Sequence, residues 1–277
     1  MTDYGQESLW RDTATADAER ARDLASRLEH RARAEDEVAA RDIYLGLLDI
    51  APGERVLDVG CGSGAVTREL ARRVGSGGLA IGVDPSPALL AVARELAREA
   101  GVGDRVQFRE GSALRLPFPD RSFDAVVCVT VLSHVPNAEA AIPELVRVLR
   151  SGGRLGVFDF DTDMTAFTHP DRALTRRIVA AASDATAVNG WLVRQLPCSS
   201  SAPASWTSAC AASFLSRLIC RVSTPNWLSA VSRWPSRRAR LPNSRAAPGW
   251  EGFQEQGAHG PIVAGRLHIF VWGRTPT

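Results

Sequence analysis

From about residue 55 to residue 161, short apolar runs alternate with segments of helical length and period. That alternation leaves the chain few folds. The run at 56–59 is followed by "AVTRELARRV" (65–74), which reads as a helix, and "LAIGV" (79–83) is a second strand. "SPALLAVARELAREAG" (86–101) is a helix with Ser86 as its N-cap and Gly101 just past its end. "RVQFRE" (105–110) alternates like a strand, and "FDAVVCVTVL" (123–132) is continuously apolar, as a buried parallel strand should be. "NAEAAIPELVRVLRSGG" (137–153) reads as a helix ending in glycine and "GRLGVFDFD" (153–161) as a further strand. Strands alternating with helices of about 10–15 residues predict βαβ units, hence an α/β fold built on a doubly wound, mostly parallel sheet. Right-handed crossovers place helices on both faces. Ligands of such sheets bind beyond the carboxyl ends of the strands. Upstream, 16–50 carries helical periodicity (Leu24 and Leu28, then Ile43 and Leu47) until Pro52-Gly53 breaks it.

The bulk properties narrow the field less. The 277 residues, 45% of them hydrophobic, suffice for a sizeable core. A net charge of +2 gives no footprint for nucleic acid. No window of about 18 apolar residues predicts a membrane span, and the polar, acidic N-terminal stretch is unlike a secretory signal, so a cytoplasmic location is expected. Cys61, Cys128, Cys198, Cys210 and Cys220 form no CxxC pair, which predicts free thiols and no metal site.

The chemistry begins at "VLDVGCGSG" (56–64), where a strand delivers Asp58 and the chain turns at Gly60, Gly62 and Gly64 into a helix. Glycines there permit positive φ and close approach of a ligand, and the helix start offers free N–H groups. A tight βα turn alone would explain the triplet. Asp84, however, ends the next strand 20 residues after Gly64, where an acid can accept from ribose hydroxyls, and the two features together indicate a nucleoside. The glycine spacing is GxGxG, not the GxGxxG of dinucleotide sites. Asp58 would repel a pyrophosphate and suits an ammonium group, which points to the methionine end of S-adenosylmethionine.

"VLDVGCGSG", "IGVDPSP", "GSALRLPFPDRSFDAVVCVTVLSHV" and "LVRVLRSGGRL", in this order, resemble the successive motifs of the class I S-adenosylmethionine-dependent methyltransferases over roughly residues 40–196. In style they are nearest to small-molecule methyltransferases of quinone and natural-product pathways. The resemblance implies a Rossmann-like core and S-adenosylmethionine as cofactor. It implies that Gly60, Cys61, Gly62 and Gly64 line the methionine moiety, that Asp58 lies near its amino group, and that Asp84 holds the ribose. Pro85 and Leu114 would pack on the adenine, and Val129 and Thr130 would flank the methionine tail. At Ser112, beside Ala113, the family often carries an aspartate for the adenine amino group, so the serine weakens one expected contact. The N-terminal helices, with Arg31, Arg33 and Tyr44, would cover the cofactor.

Methyl transfer from a sulfonium needs no metal. Proximity and alignment can supply about 7–11 kcal/mol at best, and a base roughly 10²–10⁴-fold more. His134 in "VLSHVPN" is the candidate base, or else packs over the cofactor or caps the next helix. Asp159, Asp161 and Asp163 lie opposite Phe158 and Phe160 by strand alternation. Asp161 is the candidate to bind an acceptor amine or orient a hydroxyl, against the alternative of a solvated strand end. His169, Arg176 and Arg177 read as surface or substrate-rim residues, and His259 and His268 as structural.

The function expected is methyl transfer to a small organic acceptor (quinone, phenol, polyketide-like compound or amine), with no nucleic-acid or membrane partner. The alternative is a cofactor-binding protein of impaired activity. That alternative arises from 197–258, where the texture of the chain changes. The stretch 197–250 holds 12 serines, seven arginines and four tryptophans, and no acid occurs between Asp184 and Glu251. Every one of the 33 basic residues of the chain is arginine, the mark of a GC-rich gene. A compensated frameshift over roughly 197–258 would produce such a segment and leave the sheet without a well-formed sixth strand; a basic, tryptophan-rich lid is the rival. The expected organisation is a helical cap (1–50), the cofactor-binding core (51–196), the atypical segment (197–258) and a final strand (259–277), in which Leu267, Ile269 and Val271 alternate.

Overall fold

The computed structural model describes residues 13–167, 171–186, 188–196, 213–215 and 264–276. Two helices open it, α1 (Ala18–Ala32) and α2 (Glu35–Leu47). Then follow β1 (Arg55–Val59), α3 (Ala65–Val74), β2 (Leu79–Asp84), α4 (Pro87–Glu99), β3 (Val106–Glu110), β4 (Phe123–Val129), α5 (Ala141–Arg147), β5 (Leu149–Phe167), α6 (Arg172–Thr186), α7 (Leu192–Gln195), β6 (Ser213–Leu215) and β7 (Ala264–Arg274). One seven-stranded sheet runs in the order β3-β2-β1-β4-β5-β7-β6. The strands β1 to β5 are mutually parallel, while β7 pairs antiparallel with β5 and β6. The winding reverses between β1 and β4, the place where a doubly wound sheet forms its crevice.

Strand alternation divides the core into two layers. Val56, Ala80, Val127 and Phe158 face α2, α3 and α4 through Leu45, Leu70 and Leu90. Leu57, Ile81, Val126 and Val157 face α5 and α7 through Ile142, Leu145 and Leu192. A third, smaller cluster (Leu24, Ala25, Leu89) seats α1 on α4. Among the described residues no helix is long and apolar enough to cross a membrane.

Local chemistry explains most boundaries. The Ser86 hydroxyl accepts from the Leu89 amide at 3.2 Å, and Gly101 leaves α4 at φ 68°. Two expectations are corrected. The helix expected over 137–153 ends at Arg147, because β5 begins at Leu149, where its register with β4 opens as Phe123↔Leu149 before a bulge. A sixth strand exists, although the sequence shows none: Ser213–Leu215 pair with His268–Phe270 on the outer edge of β7. The remainder of 197–258, with the frameshift and lid readings it carries, lies outside the described residues, as do His169 and His259.

Candidate functional site

A cavity of about 350 Å3 opens beyond the carboxyl ends of β1 to β4. Its walls come from four loops, each the continuation of a strand, and from α1 and α2 above them.

The first loop is the glycine turn. Gly60, Gly62 and Gly64 all have positive φ (74°, 52° and 76°), a conformation that side chains disfavour. Space is also lacking: a Cβ on Gly60 would stand 2.3 Å from Val131 Cγ2, and one on Gly62 would stand 2.7 Å from Leu28 Cδ1. The turn is thus pressed between the loop after β4 and helix α1. Gly60, Cys61 and Gly62 line the cavity. Gly64 does not: it is the residue before α3, backed by the Phe108 ring, so its expected ligand contact is replaced by a conformational role.

Asp58 and Asp84 both reach the cavity wall and are both buried. Burial raises the Asp58 carboxyl to about 7 against the hydrogen bond from Thr67 Oγ1 (2.6 Å), with repulsion from Asp84 adding to the rise. Asp84 is also raised, first by burial, and is opposed by two backbone donors, Ser86 N–H (2.9 Å) and Gly62 N–H (3.0 Å). The acid therefore ties the glycine turn to the start of α4. Pro85, Ser112, Ala113 and Leu114 complete that wall, and the Ser112 hydroxyl accepts from the Leu114 amide at 3.2 Å.

Beyond β4, Val129, Thr130 and His134 line the cavity. Thr130 has φ 54°, unusual for a β-branched residue and a form of strain found at functional sites. Its amide donates to Phe158 O at 2.6 Å and its hydroxyl accepts from Arg31 at 3.0 Å. His134 stands edge-on to Phe160 at 6.1 Å.

Asp161 is not on this cavity. It is buried at 1% side-chain exposure, and both its carboxylate oxygens are taken by the Arg194 guanidinium. Its acceptor-binding role is therefore withdrawn, and so is the solvated strand end, because α7 brings Arg194 back onto β5. Asp163 stands at the rim of this pair, 3.5 Å from Arg194. Arg176 and Arg177 are exposed on α6, and His268 stacks on Phe158 at 5.2 Å inside the sheet.

Of the cap residues, Arg31 and Tyr44 line the cavity, whereas Arg33 turns away towards Glu29. Tyr44 packs on Phe158 (4.8 Å) and Phe270 (5.7 Å); burial pushes its phenol up, so it keeps its proton at neutral pH. Leu28, Glu37 and Arg41 also line the cavity, unforeseen from the sequence. So is the anchor of α1. Arg68 of α3 grips both Glu29 oxygens at 2.7 Å and donates to Ser63 O at 2.8 Å, while Ser63 Oγ donates to Glu29 at 2.7 Å. The helical period of α1 marks its buried side; nothing in it marks a partner 39 residues away.

Residues 57–157 match the family model described as a methyltransferase domain. A 2-phytyl-1,4-naphtoquinone methyltransferase of Synechococcus elongatus is 44% identical over 108 residues, 39% of this chain and 46% of that protein. A ubiquinone/menaquinone biosynthesis C-methyltransferase of Ectopseudomonas mendocina is 40% identical over 114 residues, 41% of this chain and 44% of that protein. The chain thus spans less than half the length of these curated relatives. Among solved structures, the YcgJ protein of a Bacillus species superposes with a TM-score of 0.58 at 20% identity, covering 86% of this chain and 99% of its own, which shows a shared fold.

Proposed function

We propose that this chain, whose residues 57–157 match a methyltransferase domain, is a class I, S-adenosylmethionine-dependent enzyme that transfers a methyl group to a small organic acceptor. The observation that carries the reading is one cavity holding two kinds of wall. Two buried carboxylates and a glycine turn line it, together with a histidine and the apolar residues Val131, Val135 and Pro136 of the loop after β4.

The residues present suit the cofactor. Gly60 and Gly62 bring bare backbone to the cavity wall between Val131 and Leu28, and Asp58 and Asp84 are acids held in a buried setting where a cation and a diol repay their desolvation. In this reading Gly60, Cys61 and Gly62 hold the methionine moiety, with Val129 and Thr130 beside it. Asp58 faces the amino group, Asp84 the ribose, and Pro85, Ser112, Ala113 and Leu114 the adenine. S-adenosylmethionine, when bound, supplies an electrophilic methyl group on a sulfonium. His134 takes the proton from an acceptor hydroxyl, and the apolar wall excludes water from it. Relatives named for 2-phytyl-1,4-naphtoquinone and for ubiquinone/menaquinone biosynthesis favour a quinol or phenol as the acceptor class. A cytoplasmic setting goes with this reading.

The test is calorimetry with S-adenosylhomocysteine. The wild type should bind and Asp84→Ala should bind at least tenfold more weakly, since a hydrogen bond to a charged group contributes about 1.5–3 kcal/mol; equal binding overturns the site. A panel of hydroquinones, phenols and amines with methyl-labelled cofactor then identifies the acceptor. On that acceptor His134→Ala should lower turnover about 100-fold, with cofactor affinity within twofold.

A further inference from the structure

His134 sits in a single 3-10 turn, Leu132–His134, in the loop that leaves β4 through the strained Thr130. A turn of this length does not hold its own orientation, and its supports come from outside it. The amide and hydroxyl of Ser133 both donate to Asp159 on β5, each at 3.0 Å. Asp159 is buried and accepts a third bond, from the Phe160 amide at 2.9 Å. From the other side, the Asn189 side-chain amide donates to Val135 O at 2.6 Å and to Leu132 O at 3.3 Å, the carbonyls that bracket His134. The Asn189 backbone amide donates to Ser133 O at 3.0 Å.

Asn189 is itself fixed. The next carbonyl, Gly190 O, accepts from the Thr162 amide (2.7 Å) and hydroxyl (2.8 Å). A Cβ on Gly190 would stand 2.0 Å from Thr162 Oγ1, so only glycine docks there. Both supports thus lead to β5, one directly through Asp159 and the other through Thr162 and the 188–190 turn.

We propose that Asp159 and Asn189 are positioning residues: through them β5 sets the turn that holds His134 at the cavity wall, and they govern acceptor chemistry without touching the cofactor. The inference rests on the reading of His134 as the acceptor-side base. Neither Asp159 nor Asn189 lines the cavity. Asn189 is separated from His134 by 55 residues, which hides the relation in the sequence.

The test compares wild type with Asn189→Asp, which keeps the shape but turns the donor into an acceptor facing two carbonyls. Ser133→Ala and Ser133→Thr form a second pair, in which threonine restores the hydroxyl. Three readouts are taken: exchange of the Ser133 amide, the response of the His134 ring resonances to S-adenosylhomocysteine, and kcat against cofactor KM on an acceptor from the panel. Asn189→Asp and Ser133→Ala should speed the exchange at least tenfold, blunt the ring response and lower kcat about tenfold, with cofactor KM and affinity within twofold. Ser133→Thr should restore the wild-type values. Wild-type exchange and ring response in both variants would overturn the proposal, as would loss of cofactor affinity in step with kcat. Should S-adenosylhomocysteine fail to bind the wild type, the cofactor reading falls, and the Ser133 exchange in the free protein still decides whether the clamp exists. If Asn189→Asp does not fold, the Ser133 pair decides the matter by the same readouts.

Discussion

Asp58 concentrates the electrostatics of the cavity. Its folded carboxyl, raised to about 7 chiefly by burial, holds a proton that an unfolded aspartate would release near 4. Across that window the folded form binds the extra proton, so its contribution to ligand-free stability falls as pH rises from about 4 to 7. A cationic ligand reverses the preference, because an ammonium group favours the ionised carboxylate. Affinity for S-adenosylhomocysteine should therefore fall below pH 7, by up to about tenfold per unit. Asp58→Asn should flatten that slope and bind more weakly at pH 8; calorimetry at several pH values checks both. At this scale the sequence is most legible where placement is local. Asp58, Gly60, Gly62 and Asp84 sit at strand ends whose spacing the chain itself sets. Asp161 was misjudged because alternation names a residue's face and not its partner: Arg194, 33 positions on, takes both oxygens.

Among elements, α1 is anchored by an ion pair besides its apolar seat on α4. Arg68 and Glu29 have side-chain exposures of only 10% and 13%, and they join α1 to the glycine turn. Removing Arg68 leaves the nearly buried Glu29 only the Ser63 hydroxyl and the exposed Arg33 at 4.0 Å, a loss of up to about 3–5 kcal/mol. Arg68→Met should reduce stability by that order in urea unfolding and speed amide exchange along α1. The double replacement E29L/R68M should recover most of the loss; an R68M protein as stable as wild type would show that Leu24 and Ala25 hold α1 unaided. Periodicity marks α3 and α4 nearly to the residue, because both are amphipathic and α4 is capped by Ser86, while β2 stands out as a short, continuously apolar run. The end of α5 was hidden, since Leu149 and Arg150 suit a helix as well as a strand and only the β4 register decides between them.

Across the whole molecule, the doubly wound core and the final strand β7 are legible from alternation alone, while β6 outside it is not. The three residues of β6 stand in a stretch with no sustained period, and their place is dictated by the open edge of β7. For the rest of 197–258 the frameshift reading makes a definite claim about the gene. Translating the interval in its other two frames should recover an amphipathic, acid-containing sequence, and its absence from both frames would overturn the idea. The position of β7 has a further consequence, for how the chain is made. β6 is synthesised first but lies outside β7, which alone connects it to β5. Until the ribosome has delivered residues 264–274, β5 presents a bare ladder edge from Arg154 to Asp161 that includes the apolar Val157 and Phe158. Such an edge invites pairing with another nascent chain. The loops after β1 to β4 are synthesised before that point, so the hazard falls in an interval when most of the sheet already exists but its growing edge is not yet protected from its neighbours.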